Sequence, residues 1–236
     1  MGIAVTRVCW PTLAGIIAVF CLLSGCTGQG QKFRVQNLAK SDVDLVADLH
    51  REHTLALLEQ LTIKLYRRNP AQLLLVPGQS IASRWEQIRQ ASFAELDHAE
   101  LGGARSTDAM HLAFDANFRG DRIFALMAGL SGMLGESYAY KREFFWLDTL
   151  DQQKLYNSAR NIEILVWLLR TRLDAAQQPL ILTDSMDLEA VNLSFERLFG
   201  KLIAHQDVLA EIVAGRTQRT INTVAQGIAS MTFIPL

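Results

Sequence analysis

Cysteine is nearly missing from this chain, and its three occurrences, Cys9, Cys21 and Cys26, all fall within the first 26 residues. Everything beyond residue 26 therefore folds without an internal disulfide, a thiolate metal site or a cysteine nucleophile. An excess of either charge is missing too: 23 basic against 24 acidic side chains give a net charge of −1 with histidines neutral. No basic surplus is available to neutralise phosphates, which argues against a nucleic-acid partner. Strand signals are scarce. "QLLLVPG" around Leu73 and the terminal "MTFIPL" are too short and isolated to found a sheet. There is no internal repeat, no low-complexity block, no nucleophile elbow and no phosphate-cradling glycine loop. Serines such as Ser131 and Ser137 carry no local sign of activation.

The first residues read as an export signal. Arg7 is the one charged side chain before Cys26, and Leu13 to Leu23 runs for eleven residues without a polar side chain. Pro11 and Thr12 keep this run well below the roughly 20 residues that a bilayer-spanning helix needs. A positive start, a short apolar stretch and small residues at its end are the parts of a secretory leader. The four residues Leu23-Ser24-Gly25-Cys26 resemble the lipobox of bacterial lipoproteins at every position. The resemblance covers the leader and the residue after cleavage. It implies a diacylglyceryl group on the Cys26 sulfur, cleavage between Gly25 and Cys26, and N-acylation of the freed amine. Two or more acyl chains suffice for stable membrane attachment, each buried CH₂ contributing about 0.8 kcal/mol. Thr27, where an aspartate would signal retention in enterobacterial lipoproteins, implies passage to the outer membrane, facing the periplasm. The expected organisation is a leader over 1–25, a lipidated N-terminus and polar tether over 26–40, and a single helical domain over 41–236.

That domain is expected to be an all-α bundle of about six or seven helices. The first helix begins at Ser41 or Asp42 and stops at Asn69-Pro70, because a residue before proline disfavours the α region. Ser80 caps a second, "IASRWEQIRQASF", and "STDAMHLAFDANF" from Ser106 makes a third. Asp121 to about Tyr138 is the most apolar stretch, and its length suits a buried core helix. Ala125 with Gly129, and Ala128 with Gly132, set small residues four apart and permit close approach of a neighbouring helix. Leu155, Ala159, Ile162, Val166, Leu169 and Leu173 step by four and three along a helix from Asp151, with a capping box over Thr149 to Gln152. Leu188, Val191, Phe195, Leu198 and Leu202 repeat that stripe. A separate last helix is expected from about Asp207, resuming after Gly215 with Ile221, Val224 and Ile228.

Four clusters carry candidate chemistry. In "HREH", residues 50–53, two histidines lie three apart on a helix. The metalloprotease pattern needs a spacing of four, no third ligand is near in sequence, and the preferred reading is a solvated polar face beside Asp44, Asp48 and Arg51. Asp108, His111 and Asp115 step by three and four, which on one helical face would suit a metal or an acid–base pair. The plainer reading is that acidic side chains complement a helix start while His111 faces water. In Arg119-Gly120-Asp121 the expected roles are a turn and a helix cap, with no adhesion signal. "YKREFFW", 140–146, suits a junction between core helices, a partner surface or the lipid interface. The functional expectation is a membrane-anchored lipoprotein with a non-enzymatic accessory or scaffold role and a protein partner in the envelope. It carries no cofactor beyond the covalent lipid on Cys26. The alternatives are a helical module for an apolar ligand or lipid, with the glycine-rich helix lining a cavity, and a periplasmic metal-dependent hydrolase.

Overall fold

A computed structural model describes residues 40–145, 147–183, 193–218, 220–221 and 232–236. The chain divides into two compact units, Met1–Leu38 and Ala39–Leu236, and the described residues belong to the second. Among them are seven α-helices and no strand: α1 (Asp42–Arg68), α2 (Pro70–Leu74), α3 (Ile81–Ala91), α4 (Ser106–Ala113), α5 (Arg122–Ser137), α6 (Gln152–Thr171) and α7 (Ser194–Thr217), with a short 3₁₀ turn at Ala99–Leu101. One isolated bridge joins Leu173 to Pro179. The all-α bundle expected from the sequence is therefore the fold.

The helix starts follow local side-chain chemistry. Ser41 caps α1 in a reciprocal box with Asp44, and Ser80 does the same for α3 with Ser83. The Asp121 carboxylate accepts from the Phe124 N–H at the head of α5. These caps satisfy backbone donors that the first turn leaves without partners. Three details differ from the sequence reading. Helix α6 is capped by Asp151, whose carboxylate accepts from the N–H groups of Gln153 and Lys154, so the box over Thr149 to Gln152 is not what starts it. Helix α4 stops at Ala113, well short of Phe118. The two expected C-terminal helices are one, since α7 passes unbroken through Asp207. Gly215 lies in open space within it, so its cost is one of propensity alone, about 1 kcal/mol. Leu188, Val191, Val224 and Ile228 lie outside the described residues.

Helix α5 is the axis of the bundle, and every one of its residues except Glu136 is buried. Helices α1, α3, α4 and α6 all pack against it. Its glycines explain how. A Cβ on Gly129 would stand 2.6 Å from the Ser106 carbonyl oxygen and 2.7 Å from the Met110 nitrogen, and one on Gly135 would stand 2.7 Å from the Ser92 carbonyl oxygen. Backbone thus touches backbone where α4 and the end of α3 cross α5. The small-residue spacing predicted this, although Gly132, with 3.4 Å to Ser106 Oγ, is a looser contact than its neighbours.

Helices α1 and α7 run antiparallel: Arg216 meets Asp44 at one end, and Lys64 bonds Ser194 at the other. Helix α6 packs along α7. The terminal residues are held in place on α6: the Asn161 amide accepts from the Ile234 N–H at 2.6 Å and donates to the Ile234 carbonyl at 2.8 Å, while Asn157 donates to the Pro235 carbonyl.

Candidate functional site

Cys26, Gly25 and the tether lie outside the described residues. Among the described residues no helix is long and apolar enough to cross a membrane.

The structure keeps Asp108 and His111 on α4 but takes Asp115 away from them. Because α4 ends at Ala113 with Phe114 as its C-cap, Asp115 falls off the helix face that the spacing implied. Its carboxylate turns back to the Asn117 N–H, and its carbonyl accepts from Arg122. His111 is exposed, as expected, with its ring 4.5 Å from that of Phe233. Partial burial there pulls its pKa below 6.5, ahead of the opposing effect of Asp108. Among the described residues no group of three or more His, Cys, Asp and Glu side chains is placed to hold a metal ion.

Asp108 instead lines a cleft of about 270 Å³ between residues 91–109 and α5. Its floor is small and apolar (Ala91, Ala109, Ala128, Gly132), and polar groups ring it. Arg105 pairs with Glu95 and Asp97, and Lys154 pairs with Glu136. His98 sets its ring edge-on against Phe124, and its Nε2 is buried without a hydrogen-bond partner. Ser106 and Tyr140, which hydrogen-bond to each other, hold φ of +45° and +56°. Non-glycine residues rarely occupy that region, and such strain of about 1–3 kcal/mol persists where surroundings enforce it. The cleft offers carboxylates, hydroxyls and one neutral imidazole to a small polar molecule. It was not legible in sequence, since its walls come from α3, the 3₁₀ turn, α4, α5 and the loops between them.

The histidine pair of "HREH" acquires a third member. His205 of α7 packs edge-on against His50, with ring centroids 4.8 Å apart, and 5.5 Å from His53. His50 Nδ1 lies 3.1 Å from both the Nδ1 and the carbonyl oxygen of His205. Three of the chain's five histidines thus meet at one seam. The expected solvated face is corrected: Arg51 and Asp44 are buried. No local signal could reveal this, because His50 and His205 are 155 residues apart.

Below this seam a polar layer crosses the bundle. Gln206 Oε1 accepts from Ser158, and at 3.4 Å from Ser137, and its Nε2 donates to the Tyr138 hydroxyl, which also meets Thr54. Arg51 packs its guanidinium over Phe93 and Tyr138 and donates to the carbonyls of Ser92 and Lys141. It makes no ion pair with a carboxylate among the described residues. Burial pulls its pKa down to about 10.

A second buried network involves Asp121, which accepts from the Tyr66 hydroxyl at 2.7 Å and pairs with Arg84 at 3.4 Å. Arg84 in turn holds Glu100 through two nitrogens at 2.6 and 2.8 Å. Burial raises the pKa of Asp121. With its carboxylate enclosed, Arg119-Gly120-Asp121 cannot present an adhesion signal. In "YKREFFW" Phe144 is buried and Phe145 exposed, in the connection from α5 to α6, while Trp146 lies outside the described residues.

The chain matches no family model, no curated protein and no solved structure.

Proposed function

We propose that this chain is a lipid-anchored protein of the bacterial cell envelope, acylated on Cys26, whose helical domain acts as an accessory or scaffold subunit facing the periplasm from the outer membrane. The observation that carries the anchor is the four-residue match Leu23-Ser24-Gly25-Cys26 at the end of an eleven-residue apolar run. Close backbone contacts at Gly129 and Gly135 favour a scaffold over an apolar-ligand carrier. Gly132 and Ala128 do line a cleft, but polar groups such as Asp108, Glu95 and Arg105 share its lining. The metal-dependent hydrolase reading loses its common helix face when α4 ends before Asp115.

Two measurements test the reading. Replacing Cys26 by alanine should raise the mature mass by retaining the leader and abolish the acyl modification; unchanged size and lipid labelling would end the lipoprotein proposal. Crosslinking in cells followed by mass spectrometry should return a defined envelope protein with the wild-type chain. Recovery of the chain alone would remove the scaffold role.

A further inference from the structure

The histidine seam has a geometry that limits its protonation. The carbonyl oxygen of His205 can only accept, and His50 Nδ1 lies 3.1 Å from it, so that nitrogen carries the proton. The same Nδ1 lies 3.1 Å from His205 Nδ1, which must then be a bare lone pair. Protonating His205 would set two N–H groups against each other. The His53 ring packs edge-on against His205. The groups acting electrostatically on the pair are His50 and His53 from α1 and Lys201 and His205 from α7, all basic. Asp207, two residues on, is engaged with Arg160 of α6. No carboxylate contributes to compensate added charge at His50 or His205.

The seam also sits at a boundary. On each helix the polar layer separates two apolar clusters. On α1, Ala47 belongs to the smaller cluster and Leu57 to the larger, with His50, Arg51 and Thr54 between. On α7, Leu209 and Leu202 flank His205 and Gln206 in the same way. The smaller cluster comprises Ala47, Tyr138, Phe144, Leu150, Leu155, Leu209, Ala210 and Val213, and α1 and α7 close over it.

We propose that His50 and His205 form a proton-sensitive catch between α1 and α7, whose release at mildly acidic pH loosens the two helices and uncovers the smaller apolar cluster. The sign follows from linkage. Burial is the main cause that lowers His50 and His205 below 6.5 in the folded state; at His50 it outweighs the hydrogen bond to the His205 carbonyl, and at His205 the neighbouring basic groups add to it. The opened state binds more protons, so the closed catch is fully stable above pH 6.5 and loses stability as pH falls below it. Each extra proton taken up on opening multiplies the open population by up to about tenfold per pH unit.

Amide hydrogen exchange on the full chain at pH 7.5 and 5.5, corrected for intrinsic rates, tests this. Opening of residues 44–57 and 200–213 should rise by up to about tenfold per proton at the lower pH, while α5 amides change little. His205→Gln should remove most of that response, and His111→Gln should leave it intact. A uniform response across all helices, or a full response in His205→Gln, would overturn the catch. Should His205→Gln fail to fold, His50→Gln serves instead: a reduced response supports the proposal and an unchanged one refutes it.

Discussion

The two apolar clusters of this domain are built on opposite plans. The larger is organised on α5 and tightened by glycines that bring backbones into contact. The smaller lies between the ends of α1, α6 and α7, is bounded by a layer of hydroxyls, an amide, imidazoles and a guanidinium, and holds fewer large side chains. An interface where backbones touch tolerates almost no added volume. A hydrogen-bonded layer fixes which residues face each other, and its cost appears when one partner is removed.

Four changes would break or sharpen that contrast. Gly129→Val places atoms inside van der Waals contact of Ser106 and Met110 backbone, and should cost about 3 kcal/mol or prevent folding in urea titration. A loss below about 1 kcal/mol would mean that α4 can move away freely. Gln206→Ala strips partners from Ser137, Ser158 and Tyr138, and should cost about 2 kcal/mol by the same assay. A neutral result would show that the layer does not hold the smaller cluster.

Ser41→Ala at the cap of α1 should cost about 1 kcal/mol. Its effect is expected to depend on pH. Burial works to raise the Asp44 carboxyl, but the N–H and hydroxyl of Ser41, with Arg216, outweigh it and hold Asp44 below 3.8. A lowered carboxylate stabilises the fold above pH 3.8 and loses that contribution as pH falls further. The gap between wild type and variant should therefore narrow in acid, measured by thermal unfolding. Smallest of all, Gly200→Ala sits in helix interior with nothing near its Cβ, and should gain about 0.5–1 kcal/mol. Gly129 and Gly200 are one residue type on two helices, and opposite signs for their replacement would separate packing from propensity.

Caps and stripes were readable because they are local. Ser41, Ser80 and Asp121 act on N–H groups two or three residues away. Ile162 and Leu169 on α6, and Leu198 and Leu202 on α7, lie on their buried faces as their spacing implied. The end of α4 was not readable, since "LAFDANF" continues a plausible apolar pattern. What stops it is Arg122, which gathers the carbonyls of Ala113, Asp115 and Phe118 that a longer helix would have used itself. The candidate sites fared worse for the same reason. Asp108 lines a cleft with residues from α5, and His50 meets a histidine on the last helix.

By itself the sequence determined the class of fold, the positions of most helix starts, and most of the buried faces of α6 and α7. These depend on interactions that reach no more than about one turn. Only the tertiary structure decided that α5 is the central element, that Arg51 is buried with no acidic partner among the described residues, and that His50, His53 and His205 share one seam. Those outcomes depend on which helices pack together, and helix periodicity states only that a face must be covered, never by which neighbour.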